Sequence, residues 1–284
     1  MKRWDVLGYG SVAVDDLVYL DGFPEADGKL PIAAEVRAGG GLVATGLVAA
    51  ARLGASTAYG AVLGYDDLAR FTIAELEREG VDCGPVLRRE DARPVHSVIL
   101  VDRLHHTRTI LYSFEGVTNP TPDQVAPELI AAAGLLFVDN TIPHLAVHLI
   151  GVAHSYDVPV IADIERLGGD EEAVMTMARE ADHVILGIRA AEEITGEHDP
   201  ERAARALRAL GSASRAACVV TAGERGAWYT TAHSDRVEQR PAFSVDVVDT
   251  TGCGDVFHGA YAAVVSQGGS VEAAVEVASV AAAL

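Results

Sequence analysis

The regular alternation of apolar strands with helices in the second half of the chain constrains the fold most. Between residues 134 and 221, short apolar runs such as VPVIADI and DHVILGI alternate with helical segments such as IPHLAVHLIGVAHSY and DPERAARALRALG. This alternation is typical of βαβ units and predicts a three-layer α/β/α sandwich around a mostly parallel sheet. No long linker or internal repeat interrupts the 284 residues, so we expect a single domain over 1–284.

Sheets of this kind bind ligands beyond the carboxyl ends of their strands. The polar residues that follow the predicted strands are Asp139–Asn140, Asp163–Glu165 and Thr221–Gly223, and a glycine-rich motif spans 249–265. We therefore expect the functional site to be built from these segments.

Two alternating stretches do not fit the α/β rhythm. Residues 12–20 alternate like a strand, and 95–101 and 107–114 alternate on either side of the polar DRLHH, as a hairpin does. We expect them to form a small β-strand lid from about 12–37 and 95–114, placed over a cleft.

Charge and cysteine content exclude some classes of function. A formal charge of −19 disfavours binding to nucleic acid or an anionic membrane, and it repels a free nucleotide unless the site supplies positive potential and Mg²⁺. Residues 1–10 lack a secretory signal pattern, and no apolar run approaches the length of a membrane span. Three cysteines at unrelated spacings are typical of a reducing cytoplasm.

The first glycine motif, GYGSVA over 8–13, superficially matches the dinucleotide fingerprint G-x-G-x-x-A. That fingerprint requires a helix directly after it. Because the residues that follow alternate like a strand, an NAD-linked dehydrogenase is disfavoured; a helix over 12–20 would restore it.

The second motif is the triple glycine Gly39, Gly40 and Gly41 before a helix that begins near Leu42. One glycine would suffice for a tight turn, and three favour a close approach of the backbone to a ligand. Asp15 and Asp16 are expected at the carboxyl end of a buried strand, where they either lie on a solvated edge or accept hydrogen bonds from substrate hydroxyls. The ten histidines show no convincing metal-ligand spacing, although His144 and His148 are four residues apart.

The third motif, DTTGCGDVFHGA, begins at Asp249. Gly252, Cys253 and Gly254 are expected to aim backbone N–H groups at one point at a helix N-terminus, where an oxyanion binds. Asp255 would then orient and deprotonate an attacking hydroxyl. The helix N-terminus should lower the pKa of Asp255, which phosphoryl transfer tolerates because it depends mainly on positioning and charge stabilisation.

These motifs resemble the ribokinase-like (PfkB) carbohydrate kinase family. DTTGCGDVFHGA resembles its C-terminal signature, and GGGLVATGLVAAARLGA resembles its N-terminal glycine signature. The likeness covers essentially the whole chain, and its wording is closest to sulfofructose kinase and ketohexokinase.

The resemblance implies ATP-dependent phosphorylation of a sugar or nucleoside hydroxyl with Mg²⁺ and, in many members, a monovalent cation such as K⁺. It implies Asp255 as the base, Gly252–Gly254 as the anion hole, and a homodimer through the lid. By the same resemblance, the sugar would be held by Asp15 and Gly39–Gly41, the nucleotide by Thr221, Gly223 and Gly226, and the monovalent cation near Asp249 and Thr251.

Departures from the family pattern leave the substrate open. The asparagines of the glycine signature are replaced here, and the N-x-x-E motif falls at Gly187 and Ala190. Lys29 matches the lid lysine that sulfofructose kinases use, while their other sulfonate-binding positions fall near Tyr112 and Asn140. Family members also continue beyond residue 284, so a further C-terminal segment is expected to be missing.

We therefore expect a cytoplasmic ATP-dependent kinase of a ketose-like sugar or related polyol. Sulfofructose kinase and nucleoside kinase are alternatives. A non-catalytic sugar or nucleotide sensor on the same fold is an alternative of another class, motivated by the missing Asn and Glu positions.

Overall fold

The structure is a computed structural model that describes residues 2–212, 215–232, 234–247 and 250–284, except for the side chain of Asp235. The described residues form fifteen strands and nine α-helices. The strands are β1 Trp4–Tyr9, β2 Ala13–Leu20, β3 Ala34–Gly40, β4 Thr57–Gly60, β5 Val62–Leu63, β6 Val81–Asp82, β7 Leu87–Arg88, β8 Val95–Asp102, β9 Thr107–Ser113, β10 Ala133–Asp139, β11 Val160–Asp163, β12 His183–Gly187, β13 Ala217–Thr221, β14 Ala227–Thr231 and β15 Ser234–Arg240. The helices are α1 Leu42–Arg52, α2 Asp67–Arg78, α3 Pro127–Ala131, α4 Pro143–Ser155, α5 Glu171–Glu180, α6 Ile188–Thr195, α7 Pro200–Leu210, α8 Cys253–Ser266 and α9 Val271–Ala281.

Nine strands form the central sheet, in the order β15-β14-β13-β12-β11-β10-β1-β4-β6. Its neighbouring strands are parallel except at β13-β14 and β14-β15. Side chains alternate between its two faces, so Leu136 and Val138 belong to one buried cluster while Leu135 and Phe137 belong to the other. Helices α4 to α7 pack on the first face and α1, α2, α8 and α9 on the second. The predicted ribokinase-like three-layer sandwich is confirmed.

Local sequence explains where many helices begin. Four of them start after an Asp or Ser whose side chain accepts a hydrogen bond from the backbone N–H three residues on, as the N-cap residues Asp66, Asp170, Asp199 and Ser270 do. Such caps satisfy N–H groups that the helix itself leaves free.

A second sheet of four strands, in the order β3-β2-β8-β9, lies outside the α/β rhythm. Strands β2 and β8 are parallel, and β8 and β9 form the predicted hairpin around DRLHH. These strands fall in the segments 12–37 and 95–114, except that β3 continues to Gly40. That the sheet closes over a ligand stays a prediction.

Residues 57–63 form two short strands: β4 belongs to the central sheet, and β5 pairs with β7 in a separate two-stranded sheet. One expectation from sequence is wrong. Asp15 and Asp16 lie within β2 rather than at the carboxyl end of a buried strand, because β1 has already ended at Tyr9.

Candidate active site

The carboxyl ends of the central strands meet at one edge of the sheet. Register pairs Tyr9 with Val138, Asp139 with Asp163, and Gly187 with Thr221, so each strand ends at about the same level. The segments singled out from the sequence are therefore neighbours in the structure.

A cavity of about 300 Å³ opens at this edge. The loop after β1, the N-terminus of α1, the start of β8, and the polar residues Thr141, Glu165 and Asp255 line it. Its apolar wall consists of Ala61, Val62, Leu63, Val95, Phe114 and Val117. Asp255 therefore faces a space in which a small molecule fits, shielded on one side from water.

The GYG motif is explained by packing against the neighbouring elements. A Cβ on Gly8 would lie 2.6 Å from a side-chain carbon of Val43, and one on Gly10 would lie 2.4 Å from Oδ2 of Asp139. Because residues 13–20 form strand β2 instead of a helix, the dinucleotide-binding interpretation is excluded here.

Asp139 organises the loop beside the cavity. Its carboxylate accepts hydrogen bonds from the backbone N–H of Ser11 and from the backbone N–H and hydroxyl of Thr141. The hydroxyl of Ser11 in turn accepts from the N–H of Leu42, at the start of α1. Burial raises the pKa of Asp139, and the hydrogen bonds from Thr141 and Ser11 oppose that shift. This network, which the sequence motifs did not reveal, fixes the first glycine turn.

Of the three consecutive glycines, Gly41 is required by the fold. It has φ 97°, and a Cβ there would lie 2.5 Å from the Cα of Val12. A Cβ on Gly40 would meet only Oδ2 of Asp15, the end of a side chain that can move, and one on Gly39 would meet no atom within 4 Å. The ligand-approach interpretation is therefore needed for Gly39 and Gly40. Gly41 lines the first cavity, and Gly39 and Gly40 line a second cavity of about 320 Å³ between β3, α1 and α2.

The second glycine turn leads into α8. Gly252 is the N-cap residue with φ 76°, and no side chain among the described residues caps this helix. Cys253 donates its N–H to the carbonyl of Thr250 at 3.4 Å, and Val256 donates to Gly252. Of the predicted anion hole Gly252–Gly254, the N–H of Cys253 is thus used within the turn. In the part of the chain that the structure describes, the N–H groups of Gly254 and Asp255 have no such acceptor and remain for an anion.

Close packing of α1 against α8 places the two glycine turns side by side. A Cβ on Gly259 would lie 2.0 Å from the carbonyl oxygen of Gly46, and a Cβ on Gly46 would lie 2.6 Å from the ring of Phe137. Gly259 thus allows α8 to approach α1, and Gly46 allows α1 to approach β10.

Burial raises the pKa of Asp255 to about 7, with a further increase from the negative charge of Asp163 and a decrease from His258. The expected lowering by the helix N-terminus is therefore wrong in sign, because desolvation outweighs the helix dipole. A carboxyl group that titrates near neutral pH is well matched to accept a proton from a hydroxyl.

The other residues predicted to bind substrate lie away from the first cavity. Lys29 is exposed in a loop, Tyr112 is exposed on β9, and Asp15 is half-buried within β2. Burial raises the pKa of Asp15, and the hydrogen bond from Ser97 opposes that shift. Asn140 uses both ends of its amide within the chain, donating to the carbonyl of Arg166 and accepting from the N–H of Glu165.

The residues predicted to bind nucleotide cluster at the end of β13. Thr221 ends that strand, and Gly223 and Gly226 flank a short 3₁₀ turn with φ 56° and 92°. A Cβ on Gly226 would lie 2.1 Å from the carbonyl oxygen of Arg240, so this glycine is required by packing whether or not ATP binds there.

For metal binding, the described residues contain no group of three or more His, Cys, Asp or Glu arranged to hold an ion. Gly187 and the buried Ala190, at the positions of the family's N-x-x-E motif, offer no side-chain oxygen. Mg²⁺ binds readily through phosphate oxygens and water with few protein ligands. The described residues at this edge therefore fit a Mg²⁺ ion that is bound mainly by the phosphates of the nucleotide, and they do not form a complete set of protein ligands for it. Asp249 lies outside the described residues, and Thr251 is exposed in the turn before α8 with a contact within the chain.

A family model decides the identity. The model of the pfkB family carbohydrate kinases matches residues 5–284. The chain belongs to this family. It is an ATP-dependent carbohydrate kinase with the ribokinase-like fold.

Its relatives in this family act on several acceptors, to judge from their names. The deoxyribokinase of Salmonella typhi is 30% identical over 96% of this chain and 89% of the relative. The 2-dehydro-3-deoxygalactonokinase of Haloferax volcanii is 27% identical over 84% and 78%. The ATP-dependent ribose-1-phosphate kinase of Halopiger xanaduensis is 29% identical over 98% and 90%. None of these names confirms the predicted closeness to sulfofructose kinase or ketohexokinase.

Solved structures show the same fold. The ribokinase of Arabidopsis thaliana, complexed with ribose and ATP, superposes with a TM-score of 0.82 over 98% of this chain and 91% of that one, at 21% identity. The ribokinase of Thermotoga maritima also gives a TM-score of 0.82, over 98% and 91%, at 22% identity. None of the helices in the described ranges combines the length and apolarity that a membrane span requires.

Proposed function

We propose that this kinase transfers the γ-phosphoryl group of ATP to a primary hydroxyl of a ketose-like sugar or related polyol. The observation that carries the proposal is the position of Asp255. It lines a cavity of about 300 Å³ and follows directly on a helix N-terminus that no described side chain caps. A proton acceptor and an anion site therefore adjoin the same space.

In the proposed reaction, the hydroxyl oxygen forms a bond to the γ-phosphorus as the bond from that phosphorus to the bridging oxygen breaks. Asp255 accepts the hydroxyl proton, and ADP leaves with the bond electrons. The N–H groups of Gly254 and Asp255 stabilise the negative charge on the transferred group. Mg²⁺ on the phosphates would supply further charge neutralisation, and the nucleotide would lie along Thr221, Gly223 and Gly226.

The cavity favours some acceptors over others. Leu42 stands in its lining where many family members have a polar residue, and the wall from Ala61 to Leu63 is apolar. Lys29, Tyr112 and Asn140 are not among its lining residues, so the cavity gives the sulfosugar alternative no support.

A second acceptor class, sugars that carry an acidic group, is favoured by Arg93. Its side chain lines the cavity, and its Nε donates to Asp66 at 2.7 Å, which holds the guanidinium in place. The guanidinium presents further donors of the kind that bind carboxylate or phosphate. One relative is named for ribose 1-phosphate, which carries such a group.

A coupled ADP-release assay with Mg²⁺-ATP and a panel of acceptors tests the proposal. The panel contains neutral ketoses, aldoses, polyols and nucleosides, together with sugar acids and sugar phosphates. We expect ADP release that depends on a neutral ketose or polyol; dependence on an acidic sugar would assign the second class. Binding of sugars without ADP release, under conditions where the protein is folded, would contradict a kinase and favour the sensor.

The exposed apolar side chains of the small sheet support a homodimer formed through it. Ile110 and Leu111 on β9 are 48% and 55% exposed, and Phe114 after that strand is 62% exposed. Patches of this kind mark interaction surfaces. Light scattering should give twice the monomer mass for the wild type and the monomer mass for Leu111→Glu; a monomeric wild type would contradict the proposal.

The three cysteines, all without disulfide bonds, support a reducing cytoplasm as the place where this kinase acts. A monovalent cation such as K⁺ beside Thr251 is proposed from the family resemblance, and comparing turnover in potassium and in tetramethylammonium salts tests it.

A further inference from the structure

Behind the α8 turn lies a buried pair of ionisable side chains, Asp163 and His258. Asp163 is 4% exposed and its side chain 6%, and His258 is 5% exposed. Nε2 of His258 lies 3.3 Å from Oδ1 of Asp163, and Oδ2 of Asp163 has no hydrogen-bond partner among the described residues. Neither residue lines the cavity, so substrate contact does not explain the pair.

Both ring nitrogens of His258 face hydrogen-bond acceptors. Nδ1 lies 2.7 Å from the carbonyl oxygen of Gly254, and Nε2 lies 3.1 Å from the carbonyl oxygen of Ile185. A carbonyl oxygen only accepts, so Nδ1 holds the Gly254 carbonyl as a donor. Nε2 faces both the carbonyl oxygen of Ile185 and Oδ1 of Asp163.

Burial raises the pKa of Asp163 well above its usual range, and the negative charges of Asp139 and Glu165 raise it further. A buried carboxyl group requires polar neighbours, and Nε2 of His258 is such a neighbour of its Oδ1.

The contact with Gly254 acts directly on the anion hole. A peptide group is planar and trans, so the direction of the Gly254 carbonyl fixes the direction of the next N–H, which belongs to Asp255. Nδ1 of His258 holds that carbonyl from one turn further along α8, in addition to the hydrogen bonds of the helix itself. The N–H of Asp255, on the opposite side of this peptide, is directed toward the N-terminus of α8, where the phosphoryl group is proposed to bind.

The same pair lies within electrostatic reach of the Asp255 carboxylate. The charges that face Asp255 come from three elements: Asp139 ends β10, Asp163 and Glu165 lie at the end of β11, and His258 lies on α8. Asp163 makes protonation of Asp255 easier and His258 makes it harder. Removing one member of the pair therefore changes the balance.

We propose that His258 and Asp163 are a positioning pair for phosphoryl transfer: Nδ1 of His258 holds the Gly254–Asp255 peptide of the anion hole, and Asp163 lies against the other side of the ring, close enough to Asp255 to act on its charge. This inference rests on the proposed function, because it assigns the pair to the reaction at Asp255.

His258→Asn and His258→Gln distinguish a positioning role of the side chain from a role in packing alone. The Asn amide nitrogen takes the place of Nδ1 and keeps the bond to Gly254, whereas the Gln amide nitrogen reaches the place of Nε2 and keeps the bond to Ile185. Gln also matches the volume of His more closely. We expect His258→Asn to retain at least about tenfold more kcat than His258→Gln, since small misplacements of catalytic groups cost up to about 10²-fold, with KM for the acceptor little changed in both.

The pH profile tests the electrostatic part. Asp163 raises the pKa of Asp255, so Asp163→Asn should move the acidic limb of kcat/KM to lower pH. His258 has the opposite effect on the pKa of Asp255, so the acidic limb of His258→Asn should not move to lower pH. If the pair served only to stabilise the fold, the acidic limb would stay at the wild-type pH in both variants.

His183→Gln is the matched control. His183 is a second buried histidine beside α8, where it contacts the hydroxyl of Tyr261 at 2.9 Å, and burial lowers its pKa to about 4. It is neutral at assay pH, so its replacement removes no charge, and both kcat and the acidic limb should stay as in the wild type.

The outcomes separate the two proposals. A wild type that forms no ADP with any acceptor contradicts the proposed function. An active wild type in which His258→Gln matches or exceeds His258→Asn overturns the positioning role. If the His258 variants fail to fold, Asp163→Asn still decides, because Asn keeps the shape of Asp163; an unmoved acidic limb in that variant overturns the electrostatic role.

Discussion

The chain contains two glycine turns that each lead into a helix, and the two helices pack against each other. At Gly41 the fold accounts for the glycine and for the helix N-terminus, because Val12 occupies the space of a side chain and Ser11 accepts from Leu42. At Gly254 neither holds: a Cβ would meet nothing within 4 Å, and no described side chain caps α8. The comparison teaches that similar glycine motifs serve different purposes, the first closing a turn and the second leaving N–H groups for a ligand.

The largest expected effect is at Asp255. It follows the Gly252–Gly254 turn, called the open turn here because no described side chain caps α8. Asp255→Asn removes the proton acceptor while keeping the shape of the side chain, so kcat should fall by about 10²–10⁴-fold. Coupled ADP release measures the loss, and an unchanged far-ultraviolet circular dichroism spectrum verifies the fold. Turnover near that of the wild type would show that Asp255 is not the base.

The turn at Gly41 is called the closed turn, because the fold itself accounts for its glycine. A substitution there should lower the free energy of unfolding. Gly41→Ala places a Cβ 2.6 Å from the carbonyl oxygen of Ser11 in a residue with φ 97°. The backbone conformation alone costs about 1–3 kcal/mol for a residue other than glycine, and the overlap adds to it. Urea unfolding should show this decrease in the free energy of unfolding.

Gly39→Ala is the control for that measurement, because a Cβ at Gly39 would meet no atom within 4 Å. Its free energy of unfolding should stay within about 0.5 kcal/mol of the wild type. Equal destabilisation by the two substitutions would contradict the assignment of Gly41 to folding.

A substitution in the open turn should lower kcat and leave the stability of the fold intact. In a helix the Cα–Cβ bond tilts toward the N-terminus, so the methyl group of Gly254→Ala would lie on the side of the proposed phosphoryl group. We expect kcat to fall about tenfold while stability is unchanged or raised by up to about 1 kcal/mol, since Ala favours helix over Gly. Lower stability with normal kcat would reverse the distinction between the two turns.

A further expected effect is on stability as a function of pH. The pKa of Asp255 is raised by burial to about 7, so the folded state binds a proton more tightly than the unfolded state does. The stability that this proton contributes is fully present below the pKa of the unfolded chain, near 4, and is lost as pH rises through about 7. Asp255→Asn should therefore gain stability relative to the wild type between these values, as urea unfolding across pH measures. A constant difference would contradict the raised pKa.

Much of the fold could be predicted from the sequence, because hydrophobic periodicity determines it locally. Runs such as VPVIADI fit only a buried strand between helices, and the alternation at 95–114 required a hairpin. The position of Asp15 within β2 was missed, since strand ends depend on pairing with segments far along the chain.

The site could be predicted less completely. Asp255 and its glycines were found because they are adjacent in one motif. The partners that determine their chemistry are distant in the sequence: Asp163 and His258 are in contact although they are 95 positions apart. The sign of the pKa shift at Asp255 was missed for the same reason, since burial by other elements is absent from a local motif.

The most direct test of the open turn as the site of proton acceptance is the pH dependence of kcat/KM for wild type and Asp255→Asn, measured by ADP release with one accepted sugar. We expect the wild-type value to fall below a pH of about 7, where Asp255 becomes protonated, and the variant to be slow without that limb. The same acidic limb in both proteins would contradict the assignment of Asp255 as the base.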